Sequence, residues 1–103
     1  MKQSEAAFQK NVVQLARARG WIVAHFRASL NQRGQWQTAV SGDGAGYPDL
    51  TLVRERVLFV ELKAEDGRVR PEQRVWLRAL SCAGRDVFVW RPSDWDVLVK
   101  VLT

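Results

Sequence analysis

The sequence contains one cysteine, Cys82, and one histidine, His25. A lone cysteine excludes an internal disulfide, and the two residues together supply neither a Cys/His metal cluster nor a His-activated nucleophile. Cys82 reads as a core residue of a helix. Proline is scarce: Pro48, Pro71 and Pro92 are the three, each where one element gives way to the next. No apolar run approaches the ~20 residues of a membrane-spanning helix. Met1-Lys2-Gln3-Ser4-Glu5 lacks the apolar stretch of a secretory signal, so a cytoplasmic place is expected. Acids are the minority, 11 Asp+Glu against 16 Lys+Arg, for a net charge of +5. Most of the bases are arginine, whose planar fork suits phosphate. Setting aside Glu5, Asp49 and Glu61 as candidate site residues leaves a strongly basic surface. Nucleic acid is therefore the first partner to consider, ahead of an anionic membrane or a protein.

What is present fits a single globular domain over 1–103, with 47% hydrophobic residues and room for one core. The organising stretch runs from Gly46 to Lys63. Two β-rich runs, Leu50-Thr51-Leu52-Val53 and Val57-Leu58-Phe59-Val60-Glu61-Leu62, flank a short charged turn, which is a hairpin pattern. Asp49 sits at the mouth of the first run. Glu61 and Lys63 sit near the end of the second, on the same side and about 6.6 Å apart along the strand. A fold at Glu55-Arg56 places Asp49 about opposite Leu62, so Asp49 and Glu61 converge if register and twist put them on one face. The plain reading is a salt bridge at a strand end. However, Val57 to Val60 reads as a strand covered on both faces, and charge there is costly unless it is paired, metal-bound or functional. Hard divalent cations such as Mg²⁺ take one or two carboxylates plus substrate phosphate, and a neighbouring lysine can steady developing phosphate charge.

Around this hairpin the chain reads as helix, strand, strand, strand, helix, strand, helix. Ser4 caps the first helix and Gly20 ends it. Glu5 lies in its first turn, where it either complements the helix dipole or brings a third carboxylate toward the hairpin. Trp21 to Arg27 reads as a strand, in which His25 is structural or a base and Arg27 is a candidate phosphate contact. Ala28 to Tyr47 reads as a long irregular loop, of the kind that is often functional; Arg33 and Trp36 suit a sugar-phosphate backbone or an unstacked base. The Gly42-Asp43-Gly44-Ala45-Gly46 run precedes a strand and so fails the context test for a nucleotide-binding glycine loop. Ala64 to Arg70 is a turn carrying Arg68 and Arg70, further candidates for DNA contact. Pro71 opens a helix whose inner face is Gln73, Trp76, Leu77, Leu80 and Ala83. Asp86 to Trp90 is the last strand. Ser93 is expected to cap the last helix, with Asp96 as its capping-box partner. The helix between the third and fourth strands implies a parallel pair; the first three form an antiparallel meander. The expected fold is α/β, a mixed four-stranded sheet flanked by helices.

As a set, these residues resemble the PD-(D/E)xK nuclease superfamily, with Pro48-Asp49 and Glu61-Leu62-Lys63 as the signature and 11 residues between the acids. More closely, the chain resembles a stand-alone VRR-NUC (virus-type replication-repair nuclease) domain. Gly44-x-Gly46-x-Pro48-Asp49-Leu50, Glu61-x-Lys63, Gln73 opening a helix and Glu5 in the first helix carry the likeness, which runs from Ser4 to Leu102. Tyr47 departs from it, standing where the family usually has a small apolar residue. The resemblance implies a restriction-endonuclease-like αβββαβ core and a metal-dependent DNA endonuclease. Glu5, Asp49, Glu61 and the Leu62 carbonyl would hold Mg²⁺ or Mn²⁺. Lys63 would act on the water or the phosphate, and Gln73 would steady Lys63 or the water. It further implies duplex or branched DNA, such as a Holliday junction, as substrate, a homodimer, and a bacterial or phage-infected host cytoplasm. Five tryptophans in 103 residues offer material for the dimer interface. The competing readings are a nicking or single-strand nuclease, a basic nucleic-acid-binding module with a dead site, and an interaction domain with ordinary salt bridges.

Overall fold

The computed structural model describes residues 2–26, 29–30, 32–34, 36–37 and 42–103, with the backbone alone for 29–30 and 36–37. Helix α1 spans Glu5–Ala18. Ser4 caps it, its side chain accepting from the Ala7 N–H at 3.1 Å, and Gly20 leaves it with a φ of 88°. Its apolar stripe buries Phe8, Val12 and Ala16.

The main sheet contains β1 (Ile22–His25), β4 (Leu50–Val53), β5 (Val57–Leu62) and β6 (Asp86–Trp90), in the order β1-β4-β5-β6. β1/β4 and β4/β5 are antiparallel, and β5/β6 is parallel. Between β5 and β6 runs α2 (Pro71–Cys82), and the last helix is α3 (Trp95–Leu102). This is the expected mixed sheet with helical flanks. Alternation sorts the strands cleanly. Leu50, Leu52, Leu58, Val60, Leu62 and Trp90 bury one face of the sheet against the α1 stripe and against Leu98 and Leu102 of α3. The opposite face carries Phe59, and Tyr47 packs edge-on between Phe59 and Trp76 of α2 at centroid distances of 6.4 and 5.0 Å.

Several details depart from the sequence reading. The loop expected over Ala28 to Tyr47 holds a short antiparallel ribbon, β2 (Ser29–Leu30) with β3 (Trp36–Gln37). The first sheet strand ends at His25, and Arg27 lies outside the described residues. Cys82 is in α2 but exposed, because it lies on the side of the helix opposite Gln73, Trp76, Leu77 and Leu80; Ala83, the C-cap residue, is exposed as well. β5 is covered on both faces only toward its C-terminal end, since Val57 remains 37% exposed. The Ser93–Asp96 box does not form. A 3₁₀ turn over Pro92–Asp94 precedes α3, Asp94 Oδ2 accepts from the Arg91 N–H at 2.8 Å, and Ser93 is drawn away to Glu65.

Arg54, in the β4/β5 turn, ties the far end of the molecule together. Its guanidinium donates to the carbonyls of Arg19, Leu102 and Thr103 and lies 4.4 Å from the Trp21 ring centroid. A cation is favoured at these two helix C-termini, where carbonyls lack helical partners.

Candidate active site

The hairpin register decides the site. Leu50 pairs with Val60 and Val53 with Val57, and the Arg54 N–H donates to the Arg56 carbonyl at 3.0 Å. The turn is thus centred on Glu55, one half-step earlier than expected. Continuing the ladder by one residue puts Asp49 across from Glu61, where the sequence reading had Leu62. A shift of one residue exchanges sheet faces, and this register sets both carboxylates on the same face. Asp49 is then fixed from two sides. Its carbonyl accepts from the Phe26 N–H beyond β1 at 3.2 Å, and its Oδ2 accepts from the Leu62 N–H at 2.8 Å. Lys63 continues β5 on the same side as Glu61; its N–H donates to the Trp90 carbonyl at 3.0 Å, one step past the β5/β6 ladder.

Glu61 is 1% exposed and Lys63 7%. Gln73 reaches them from the first turn of α2. Its Oε1 accepts from the Arg70 N–H at 2.8 Å, which fixes the amide so that Nε2 donates to Glu61 Oε1 at 3.3 Å. Gln73 therefore holds Glu61; the resemblance gives it Lys63 or the water as a partner. Glu61 Oε2 is buried without a hydrogen-bond donor among the described residues. Burial first, then hydrogen bonding and charge from the Asp49 carboxyl, push Glu61 up to about 9; Lys63 opposes the shift and Glu5 adds to it. Two facing carboxyls can bond only through a shared proton. With both ionised, Oε2 lacks a donor and calls for a cation.

Gly46 explains how α2 is seated here. Its φ is 85°, and a Cβ would meet the Glu72 carbonyl carbon at 2.5 Å and the Gln73 nitrogen at 2.9 Å. The glycine lets the segment before β4 lie against the start of α2. Trp76 Nε1 donates to the Asp43 carbonyl at 2.9 Å, and Tyr47, with its hydroxyl 3.2 Å from Thr51 Oγ1, fills the space beside it. The glycine run is therefore a packing device for α2, and the tyrosine that departs from the family pattern is accommodated by an aromatic cluster with Phe26, Phe59 and Trp76.

Asp49, Glu61, Lys63 and Gln73 open into a groove of about 980 Å³, walled on one side by α1. Glu5 and His25 line it, as does Arg70. Arg33 and Arg68 are exposed and do not line it. Arg27 and the Trp36 side chain lie outside the described residues. Among the described residues no three acidic, histidine or cysteine side chains are gathered as a metal cage; Glu5 stands on the groove wall, apart from the Asp49–Glu61 pair. Lys10 and Arg17 of α1 also line the groove. The sequence reading passed over them, although their i, i+7 spacing on the polar side of a capped helix was a visible signal.

The sequence profile of the VRR-NUC domain matches residues 7–94. The chain belongs to the VRR-NUC family. A solved structure described as a VRR_NUC domain superposes with a TM-score of 0.67 at 25% identity, covering 93% of this chain and 94% of that one. Another, described as a VRR_NUC domain protein, has a TM-score of 0.69 at 21% identity, covering 98% and 87%. No curated protein matches. Membership of the VRR-NUC family carries a nuclease-type function within the PD-(D/E)xK superfamily, a group that generally uses divalent metals.

Proposed function

We propose that this chain is a Mg²⁺- or Mn²⁺-dependent DNA endonuclease that hydrolyses phosphodiester bonds, with branched DNA such as a four-way junction as its preferred substrate. The observation that carries the reading is the buried Glu61 carboxyl beside Asp49 in the groove, whose Oε2 has no donor among the described residues once both acids are ionised. The donor set fits a hard cation, because Mg²⁺ uses one or two carboxylates and completes its shell with water and phosphate. Asp49 and Glu61 would hold the ion, with the Leu62 carbonyl as a further ligand and Glu5 contributing negative charge from the groove wall. When bound, the ion supplies an activated water and neutralises charge on the phosphate oxygens.

The chain's own residues do the rest. Lys63 presents its ammonium on the same face as Glu61 and steadies negative charge developing on the phosphate, or orients the attacking water. Gln73, anchored through the Arg70 N–H, keeps Glu61 in the orientation that faces Asp49. Burial of Glu61 and Lys63 excludes competing water, which strengthens their action on a phosphate.

We also propose that the active species is a homodimer, since a two-fold pair places equal sites in opposite orientation, as a four-way junction requires. Trp21 and Trp90 are core residues, which leaves Trp95, 37% exposed, as the described tryptophan open to an interface. Ile22 and Val57 offer a further apolar patch: they flank Val53 in one cross-strand row and are 73% and 37% exposed. Light scattering should then give about 23.6 kDa, twice the 11.8 kDa chain.

The decisive experiment is cleavage of duplex, nicked, flap, single-stranded and four-way-junction DNA with Mg²⁺, Mn²⁺ or EDTA. The expected result is metal-dependent cleavage that is lost in Asp49→Asn and Glu61→Gln, with DNA retardation in EDTA retained by both variants. Full cleavage by either variant would remove the site. Retardation without cleavage in any metal would favour the binding module, and preference for single strands or nicked products would favour the nicking enzyme.

A further inference from the structure

The groove brings both signs of charge together. Asp49, Glu61 and Arg70 line it, and so does the side of α1 that carries Lys10, Gln14 and Arg17. These three fall at i, i+4 and i+7, so they form one row down the helix. Lys10 and Arg17 form none of the salt bridges among the described residues, and both side chains are exposed. Their charges are therefore free for an anion that runs along the groove.

We propose that α1 is a rail for the DNA backbone: Lys10 and Arg17 neutralise phosphates about three steps apart on one side of the scissile bond, and Gln14 donates to a phosphate or sugar between them. Arg70 takes the phosphate on the other side. The rail rests on the nuclease reading and deepens it by assigning the path of the strand. Its dimensions suit the task. Seven residues at ~1.5 Å each separate Lys10 from Arg17 by about 10 Å, which is about three steps of the ~3.4 Å rise per nucleotide along one strand of duplex. A continuous row of cation, amide and cation matches a polyanion better than it matches a small ligand. The row reads no bases, so the contact is independent of sequence.

The test is the salt dependence of binding to a four-way junction in EDTA, for the full chain, Lys10→Gln/Arg17→Gln, and the charge-matched control Arg74→Gln/Arg78→Gln on the exposed side of α2. All substituted positions are exposed helix sites where glutamine is a good helix former, and circular dichroism verifies the fold. The expected result is a log–log slope shallower by about 1.8 in the Lys10/Arg17 variant, with the control close to wild type. Between 50 and 200 mM salt the wild type should then lose about tenfold more affinity than the Lys10/Arg17 variant. In cleavage, that variant should raise KM more than it lowers kcat, because the contacts are made equally in ground and transition states. Cleavage by the wild type with identical slopes in all three proteins would overturn the rail and leave the nuclease reading standing. Equal losses in both double variants would also overturn it, since net charge alone would then account for binding. Slopes as expected with no cleavage in Mg²⁺ or Mn²⁺ would support the rail and strike the nuclease reading.

Discussion

Replacing Glu61 by glutamine should stabilise the metal-free protein, and the gain should depend on pH in one direction. Glu61 is 1% exposed, and burial, then Asp49, lift it from 4.5 to about 9, against Lys63 and with Glu5. A carboxyl whose folded value is raised binds more protons in the folded state than in the unfolded state between those two limits. Its contribution is intact below pH 4.5 and is lost as pH rises toward 9. At pH 7 the loss amounts to 2.5 pH units at ~1.4 kcal/mol each, about 3 kcal/mol. Glutamine removes the titration, keeps the Oε1 acceptor for Gln73, and offers an N–H toward Asp49 in place of the donorless oxygen. Urea unfolding in EDTA should therefore show variant and wild type alike near pH 4, with the variant ahead by up to about 3 kcal/mol at pH 7. Added Mg²⁺ should then reverse the order, since an ion that binds only the folded wild type stabilises it by mass action. A difference independent of pH, or a variant weaker than wild type at pH 8, would refute the reasoning and make Glu61 an ionised, satisfied residue.

Gly46→Ala should lower stability by about 3 kcal/mol or more, combining a left-handed backbone with a clash against the start of α2; a urea midpoint within error of wild type would mean that α2 shifts freely. Lys63→Ala should cut the cleavage rate by about 10²–10³-fold while calorimetry still detects Mn²⁺, and wild-type turnover would make the lysine structural. Arg54→Ala should lower the thermal midpoint, and the deficit should persist at high salt because carbonyl hydrogen bonds and the Trp21 ring carry it. A deficit that vanishes in salt would assign the effect to the exposed Glu55 pair instead.

Much of this architecture was legible in the chain because short-range rules govern it. Ser4 and Gly20 bound the first helix as expected, Pro71 opens α2, and the apolar runs around Arg54–Arg56 form the hairpin. The family, too, was legible, because Gly44, Gly46, Pro48, Asp49, Glu61, Lys63 and Gln73 keep fixed spacings. Errors arose where partners far along the chain compete for a local group. Ser93 was expected to cap α3, but Glu65 takes both its N–H and its hydroxyl. Cys82 looked buried by type, yet it stands on the side of α2 opposite Gln73, Trp76, Leu77 and Leu80.

What the sequence determined by itself is therefore the element order, the candidate carboxylates and the excess of positive charge, all of which follow from residue type and periodicity. Only the tertiary structure decided how those residues meet. It centred the hairpin on Glu55, so that Asp49 faces Glu61. It pressed Gly46 against Glu72 and thereby aimed Gln73 at Glu61, and it laid Lys10 and Arg17 along the same groove. The physical reason is that register and helix docking are settled by side chains from distant segments filling one core, while spacing within a segment fixes only the face on which each residue stands.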